Sequence, residues 1–294
     1  MSLLSRAKLL FLLMPAMLGL SGCSSLGVLN AVLLKDSGST LAASDVAYGG
    51  DARQKLDVYA PSDEPANTKR DVVVFVYGGS WDNGSRSNYS FAGRAFAAQG
   101  YVTVIGDYRL VPEHPYPDFV QDTASVVAWA HRNAARFGGD PERIFLVGHS
   151  AGAYNAAMVA FAPDFLQAAG VSPRVVKGFA GLAGPYDFVP LDADASVAAF
   201  GHLKPSELRL SQPVNRITSG TYAPPAFLAT GADDTTVRPR NTEQLAKVLR
   251  DHGHQVETKI YPDLGHAGLV LALSRPLRGK APALDDVVAF FRGL

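Results

Sequence analysis

Arg143-Ile-Phe-Leu-Val-Gly148-His149-Ser150-Ala151-Gly152 decides how this chain reads. Arg143 to Val147 ends in four apolar residues, the pattern of a strand buried on both faces of a sheet. An alanine-rich, helix-forming stretch follows the second glycine and runs to Phe161. Between the two, Gly-x-Ser-x-Gly permits a sharp strand-to-helix turn. Such a turn lifts the Ser150 hydroxyl above the sheet edge, with the positive end of the helix behind it. The plain alternative is a turn serine. A buried strand before the motif and a helix after it select the nucleophile instead.

Outward from this turn, strands and helices alternate. Asp71–Val76, Tyr101–Ile105, Val175–Ala180, Pro225–Thr230 and Val256–Tyr261 read as further strands. Asp45–Tyr48 and Gln54–Tyr59, broken by Gly49-Gly50-Asp51, read as an initial strand pair. Phe91–Gln99, Pro117–Phe137, Thr242–His252 and Leu284–Arg292 carry apolar residues at helical spacing. This alternation predicts an α/β fold with a doubly wound, mostly parallel sheet. Phe188–Tyr222, with Pro190, Pro205 and Pro213, breaks the rhythm. It is expected to be either a short lid-like wall over the sheet's carboxyl edge or a surface excursion. No internal repeat or low-complexity stretch is visible.

A serine nucleophile needs a base, and the base a carboxylate to orient it. Of seven histidines, His266 stands in the loop after the last strand, Tyr261-Pro-Asp-Leu-Gly-His266, at the expected carboxyl edge. His149 lies inside the turn and is expected to point elsewhere. His114, His131, His202, His252 and His254 fall on loops or helix surfaces and read as structural or exposed. The carboxylate should follow the preceding strand, where Asp233 and Asp234 stand side by side and compete. Val76-Tyr77-Gly78-Gly79-Ser80-Trp81 follows another central strand, and its small residues let backbone N–H groups approach a developing oxyanion. Trp81, Tyr89, Phe188 and Phe200 are candidate pocket residues, although aromatic residues in loops more often only pack.

Several longer segments carry a resemblance. Tyr48-Gly-Gly-Asp-Ala-Arg-Gln-Lys-Leu-Asp-Val-Tyr59, Asp107-Tyr-Arg109-Leu-Val-Pro-Glu-His-Pro-Tyr-Pro117, Phe137-Gly-Gly-Asp-Pro-Glu-Arg143 and Gly184-Pro-Tyr-Asp187 are similar to segments of α/β-hydrolase esterases. The likeness is to the acetyl-esterase, hormone-sensitive-lipase and BD-FAE-like groups, from about residue 45 to the C-terminus. The short approach to the first strand leaves little room for an N-terminal cap, which favours the BD-FAE and formamidase-like branch. In that setting Gly231-x-x-Asp234-x-x-Val237 resembles the family pattern, so Asp234 is preferred to Asp233, whose bland role is a turn or cap residue. The order Ser150, Asp234, His266 is that of the superfamily.

Tyr77 to Ser80 resembles the HGGG-type segment, with Tyr77 for histidine and Ser80 for the third glycine. Neither change removes a backbone donor. The resemblance therefore implies an oxyanion hole made by the N–H groups of Gly79, Ser80 and Ala151. Asp107, Arg109 and Asp122 match charged positions near the site and read as a structural cluster.

The resemblance implies a serine esterase that works through an acyl-enzyme on small or short-chain acyl esters, with no cofactor and no metal. A formamidase, amidase or peptidase on the same triad is the alternative. A non-catalytic envelope protein with a hydrolase fold is the reading from another class.

Composition sets the remaining bounds. The 294 residues are 47% hydrophobic and 18% charged, which describes a chain able to bury a large core. Lys plus Arg and Asp plus Glu each number 27, which gives no support for nucleic-acid binding. Arg6 and Lys8 precede a 12-residue apolar run, Leu9–Leu20, interrupted by Pro15. The run falls short of the ~20 residues a membrane span needs, and fits a signal peptide. It ends in Leu20-Ser-Gly-Cys23, which resembles a lipobox, with Cys23 the lipidation site. Cys23 is the only cysteine, so no disulfide can form within the chain. The expected organisation is a leader over 1–22, a tether over 23–44 and a hydrolase domain over 45–294, held to a bilayer in the cell envelope by acyl chains.

Overall fold

The apolar runs become the middle of one sheet. The computed structural model describes residues 36–62 and 69–294. The expected leader, the lipobox with Cys23 and the tether up to residue 35 lie outside the described residues.

Eight strands pair in the order β1-β2-β4-β3-β5-β6-β7-β8. They are β1 (Ser39–Ala47), β2 (Lys55–Pro61), β3 (Arg70–Val76), β4 (Val102–Gly106), β5 (Gly139–His149), β6 (Val176–Leu182), β7 (Ala226–Gly231) and β8 (Val256–Tyr261). The β1–β2 and β2–β4 pairs are antiparallel, and every pair from β4 to β8 is parallel. The expected doubly wound, mostly parallel sheet is therefore present.

Helices α1 (Ser90–Ala98), α2 (Asp118–Asn133) and α3 (Ala151–Phe161) fill the connections around the centre. After α3 come the short α4 (Pro163–Ala168), α5 (Asp194–Phe200) and α6 (Pro205–Leu210), then α7 (Arg240–Asp251), α8 (His266–Leu271) and α9 (Ala283–Arg292). Side chains alternate faces along a strand, and two neighbours in β6 sort the layers. Phe179 meets Phe161 of α3 with ring centroids 5.4 Å apart. Gly178, on the other face, is paired with Phe145, whose ring lies 4.5 Å from Phe291 of α9. Both faces are thus covered, which is why β3 and β5 read as continuous apolar runs rather than alternating ones.

One expectation needs correcting, and one open alternative is decided. β1 starts at Ser39, within the stretch 23–44 read as tether. It is an edge strand whose residues are mostly exposed, so it carries no apolar period for a sequence reading to detect. Asp36, just ahead of it, is paired with Arg278 at 3.0 Å. The 188–222 stretch is a docked wall and not a surface excursion. Phe200 is buried, Tyr154 donates its hydroxyl to the Ser211 carbonyl at 2.7 Å, and the Phe188 N–H reaches Gln212 at 3.0 Å.

Candidate active site

β5 runs straight into α3, and Ser150 occupies the corner with φ 55° and ψ −127°. A non-glycine residue with positive φ is strained, and the turn is held by what surrounds it. The Ser150 N–H donates to Leu182 O in the neighbouring strand at 2.9 Å, and its carbonyl accepts from Ala153 N–H. Gly152 is required by close approach: a Cβ there would run into the carbonyl oxygens of Val76 and Tyr77 at the end of β3. The two central strands and the helix can meet this tightly only because position 152 has no side chain.

The other two expected residues arrive from the ends of β7 and β8. His266 Nε2 lies 2.8 Å from Ser150 Oγ, and its Nδ1 lies 2.8 Å from Asp234 Oδ2. With Nδ1–H donating to the carboxylate, Nε2 is left to accept the serine proton. Asp234 is fully buried at its side chain, and its Oδ1 accepts the N–H groups of Thr236 at 3.0 Å and Val237 at 2.8 Å. Those two bonds fix the carboxylate's rotation, so Oδ2 faces the imidazole. Asp233 is exposed, and its N–H bonds to Leu264 O at 3.0 Å, tying the Asp234 loop to the His266 loop. Of the two adjacent acids, Asp234 alone reaches the ring.

The segment after β3 takes three positive φ values in succession: Gly79 141°, Ser80 53° and Trp81 61°. Only glycine adopts the first without cost. The Gly79 carbonyl accepts from Asp82 and Asn83 N–H at 3.1 and 3.0 Å, which closes the turn. Among the described residues, no backbone or side-chain acceptor takes the N–H of Gly79, Ser80 or Ala151. Ser80 and Ala151 line the cleft beside Ser150, and Gly79 immediately precedes Ser80 in the same turn.

This strained turn is braced from behind. Tyr77 donates its hydroxyl to Asp107 Oδ1 at 2.9 Å and accepts from Arg53 at 3.0 Å. Arg53 also bonds the carbonyls of Tyr108 and Gly84 at 3.0 Å each. Arg86 pairs with Asp107, Asp57 and Asp45. Burial, together with the nearby Tyr108 and Asp107, pushes the Tyr77 phenol well above its ordinary value, so it remains a donor. Asp107, Arg109 and Asp122 act structurally, as expected. Arg109 clamps Asp122 through Nε and Nη2, each at 2.9 Å, while Asp107 pairs with Arg86. Arg53 and Arg86 carry most of these bonds, and no local pattern in the sequence marks either.

The cleft itself is about 400 Å³. Trp81 and Phe188 line it, while Tyr89 and Phe200 do not. Tyr89 stacks on Tyr77, and Phe200 packs edge-on against Trp81 at 5.1 Å. Trp81 is also an anchor, since its Nε1–H donates to Asn155 Oδ1 at 3.0 Å. The cleft lining also includes the polar side chains of Asp187, Asp192, Thr236, Arg238 and Arg240. Arg240 is paired with Asp187 at 2.8 Å. Among the described residues, no group of three His, Cys, Asp or Glu side chains is arranged to hold a metal ion.

Known proteins resemble this chain in sequence and in fold. The family model BD-FAE matches residues 56–249. The isoprenylcysteine alpha-carbonyl methylesterase ICME of Arabidopsis thaliana is 30% identical over 264 residues, covering 83% of this chain and 60% of that protein. Esterase LipC of Mycobacterium tuberculosis is 30% identical over 238 residues, covering 75% of this chain and 58% of that one. The match thus spans about 60% of the length of these curated relatives. Among solved structures, esterase B from Lactobacillus Rhamnosis superposes with a TM-score of 0.79 at 20% identity, covering 99% of this chain and 94% of its own. A truncated carbohydrate esterase from gut microbiota gives 0.75 at 19% identity, covering 89% and 98%. At such identities these structures speak for the fold alone, which is the α/β-hydrolase fold.

Proposed function

The chain belongs to the BD-FAE family, and from that premise we propose that it is a serine carboxylesterase acting on small or short-chain acyl esters. One observation carries the proposal. An unbroken hydrogen-bonded chain runs from Ser150 Oγ through His266 to the buried Asp234, at 2.8 Å per link. It opens into a cleft where the Ser80 and Ala151 N–H groups are unclaimed among the described residues.

In the proposed reaction Ser150 attacks the ester carbonyl while His266 Nε2 takes its proton. Asp234 holds the Nδ1–H tautomer and stabilises the imidazolium as it forms. The oxyanion is received by the N–H groups of Gly79, Ser80 and Ala151, each such donor being worth about 10²–10³ in rate. His266 then returns the proton to the leaving alcohol. Water repeats the sequence in reverse and frees the acid.

Support for ester over amide comes from the relatives, which are named as methylesterases and esterases. A panel of p-nitrophenyl esters of increasing acyl length, run beside one anilide, tests this. Hydrolysis of the short esters with little on the anilide is expected. Faster cleavage of the anilide would move the chain to the amidase reading. Labelling of Ser150 by a fluorophosphonate separates both from an inert scaffold, which would stay unlabelled.

The chain is further proposed to be held on the cell envelope by acyl chains on Cys23. No helix among the described residues is long and apolar enough to cross a membrane. Metabolic labelling with a fatty acid, lost in Cys23→Ser, is the expected result.

A further inference from the structure

His149, the last residue of β5, does not point away from the site. Its Nε2 lies 3.2 Å from the backbone oxygen of His266, and the two imidazole rings sit 4.9 Å apart between centroids, tilted by 39°. A carbonyl only accepts, so this bond requires the proton on His149 Nε2. Nδ1 then carries a bare lone pair. It is buried with no partner, against the backbone of Gly78.

We propose that His149 is a positioning residue for the proton-transfer step: it fastens the main chain of His266 to the end of β5, so that the His266 ring stays within reach of Ser150. The proposal rests on the serine-esterase reading above. Without this bond, His266 would be located by its own link to Asp234 and by the short helix α8. With it, the nucleophile and its base are tied to the same strand end by residues adjacent in sequence.

A neutral donor is what this position needs. Among the described residues, the groups facing His149 are His266 at the start of α8, the Tyr89 ring at 6.5 Å and the Gly78 backbone, and none is an anion. A proton added at Nδ1 would meet no acceptor there. It would also place a second positive charge beside the imidazolium that forms on His266. Burial first, and the charge on His266 second, lower the His149 pKa to about 3. The ring therefore holds the carbonyl of its neighbour without competing for the proton in transit.

The test compares His149→Phe, which keeps a ring and loses the donor, with His149→Gln, which restores a donor without the ring. On a short aryl ester His149→Phe should lower kcat by about tenfold with KM unchanged, the scale of one lost hydrogen bond. His149→Gln should recover most of that loss. An unaltered kcat in His149→Phe, or equal losses in both variants, overturns the proposal. Should the variants fail to fold, ¹⁵N spectra of histidine-labelled wild-type protein decide instead. A neutral Nε2–H form of His149 from pH 5 to 8 supports the bond, and an Nδ1–H form or a ring protonated at pH 6 rules it out. Neither NMR outcome depends on ester turnover. If Ser150→Ala keeps full activity, it is the functional reading that fails.

Discussion

Tyr77 donates its hydroxyl to Asp107 Oδ1 at 2.9 Å, and this bond helps join the strained Gly79–Trp81 turn to the charged network behind it. The Tyr77 ring also stacks between Tyr89 at 5.5 Å and Tyr108 at 4.8 Å. Packing and hydrogen bonding can therefore be separated by removing one oxygen. Tyr77→Phe keeps both stacks and leaves Arg53 and Asp107 each short of a partner. Unsatisfied buried groups of this kind cost about 1–3 kcal/mol, readable as a lower denaturant midpoint. Loosening of the Gly79–Trp81 turn, the proposed oxyanion segment, should lower kcat by about tenfold or more, since a small misplacement of a binding group is expensive in rate. A variant with native midpoint and native kcat would show the brace to be idle.

The Ser150 backbone makes a stability prediction that runs against activity. Ser150→Ala and Ser150→Gly should both be inactive toward esters. At φ 55° and ψ −127° an alanine keeps the strain of the native serine, whereas glycine is relieved of it. Strain of this kind is worth about 1–3 kcal/mol, and the entropic penalty of glycine about 0.5–1. The glycine variant should therefore unfold at a higher temperature than the alanine variant. A lower melting point for Ser150→Gly would mean that the turn is relaxed in solution.

Asp234→Asn isolates the carboxylate's role at the imidazole. The asparagine oxygen can still accept from Thr236 and Val237, as Oδ1 does now. That arrangement turns the amide NH₂ toward His266 Nδ1. A donor there favours the wrong tautomer, with the proton on Nε2 facing Ser150. By analogy with the serine proteases kcat should fall about 10⁴-fold with the fold intact. Asp233→Asn, at an exposed position, should change kcat little. If Asp233→Asn is the crippling change, the geometry around His266 does not describe the working enzyme.

What the sequence revealed, and what it hid, follows the range of each signal. Gly148 to Gly152 after a buried strand is a local pattern, and it placed Ser150 correctly at the strand–helix corner. Asp234 and His266 were legible because loops after successive parallel strands emerge at one edge. The role of Arg53 was not legible. A lone arginine before a strand carries no period, and its bonds to Tyr77 and to the Tyr108 carbonyl exist only once three loops converge. The surroundings of His149 were hidden for the same reason, since they depend on the β8–α8 loop folding back over β5. Short helices such as α4 and α8, six residues each, are shorter than the window in which helical spacing can be recognised.

Burial of His149 also predicts how stability responds to acid. Its pKa falls from 6.5 to about 3 in the folded chain, chiefly through burial. Between those values the unfolded chain binds a proton that the folded chain refuses, so unfolding is favoured as pH drops. The contribution is complete above pH ~6.5 and is lost progressively below it, at ~1.4 kcal/mol per pH unit. Other acid-sensitive groups add their own slopes, so the measurement is a difference. Urea unfolding of wild type and His149→Gln between pH 4.5 and 6.5 should converge as the solution becomes more acidic, because glutamine has no proton to gain. Parallel stability curves for the two proteins would mean that His149 accepts a proton in the folded state as readily as in the unfolded one.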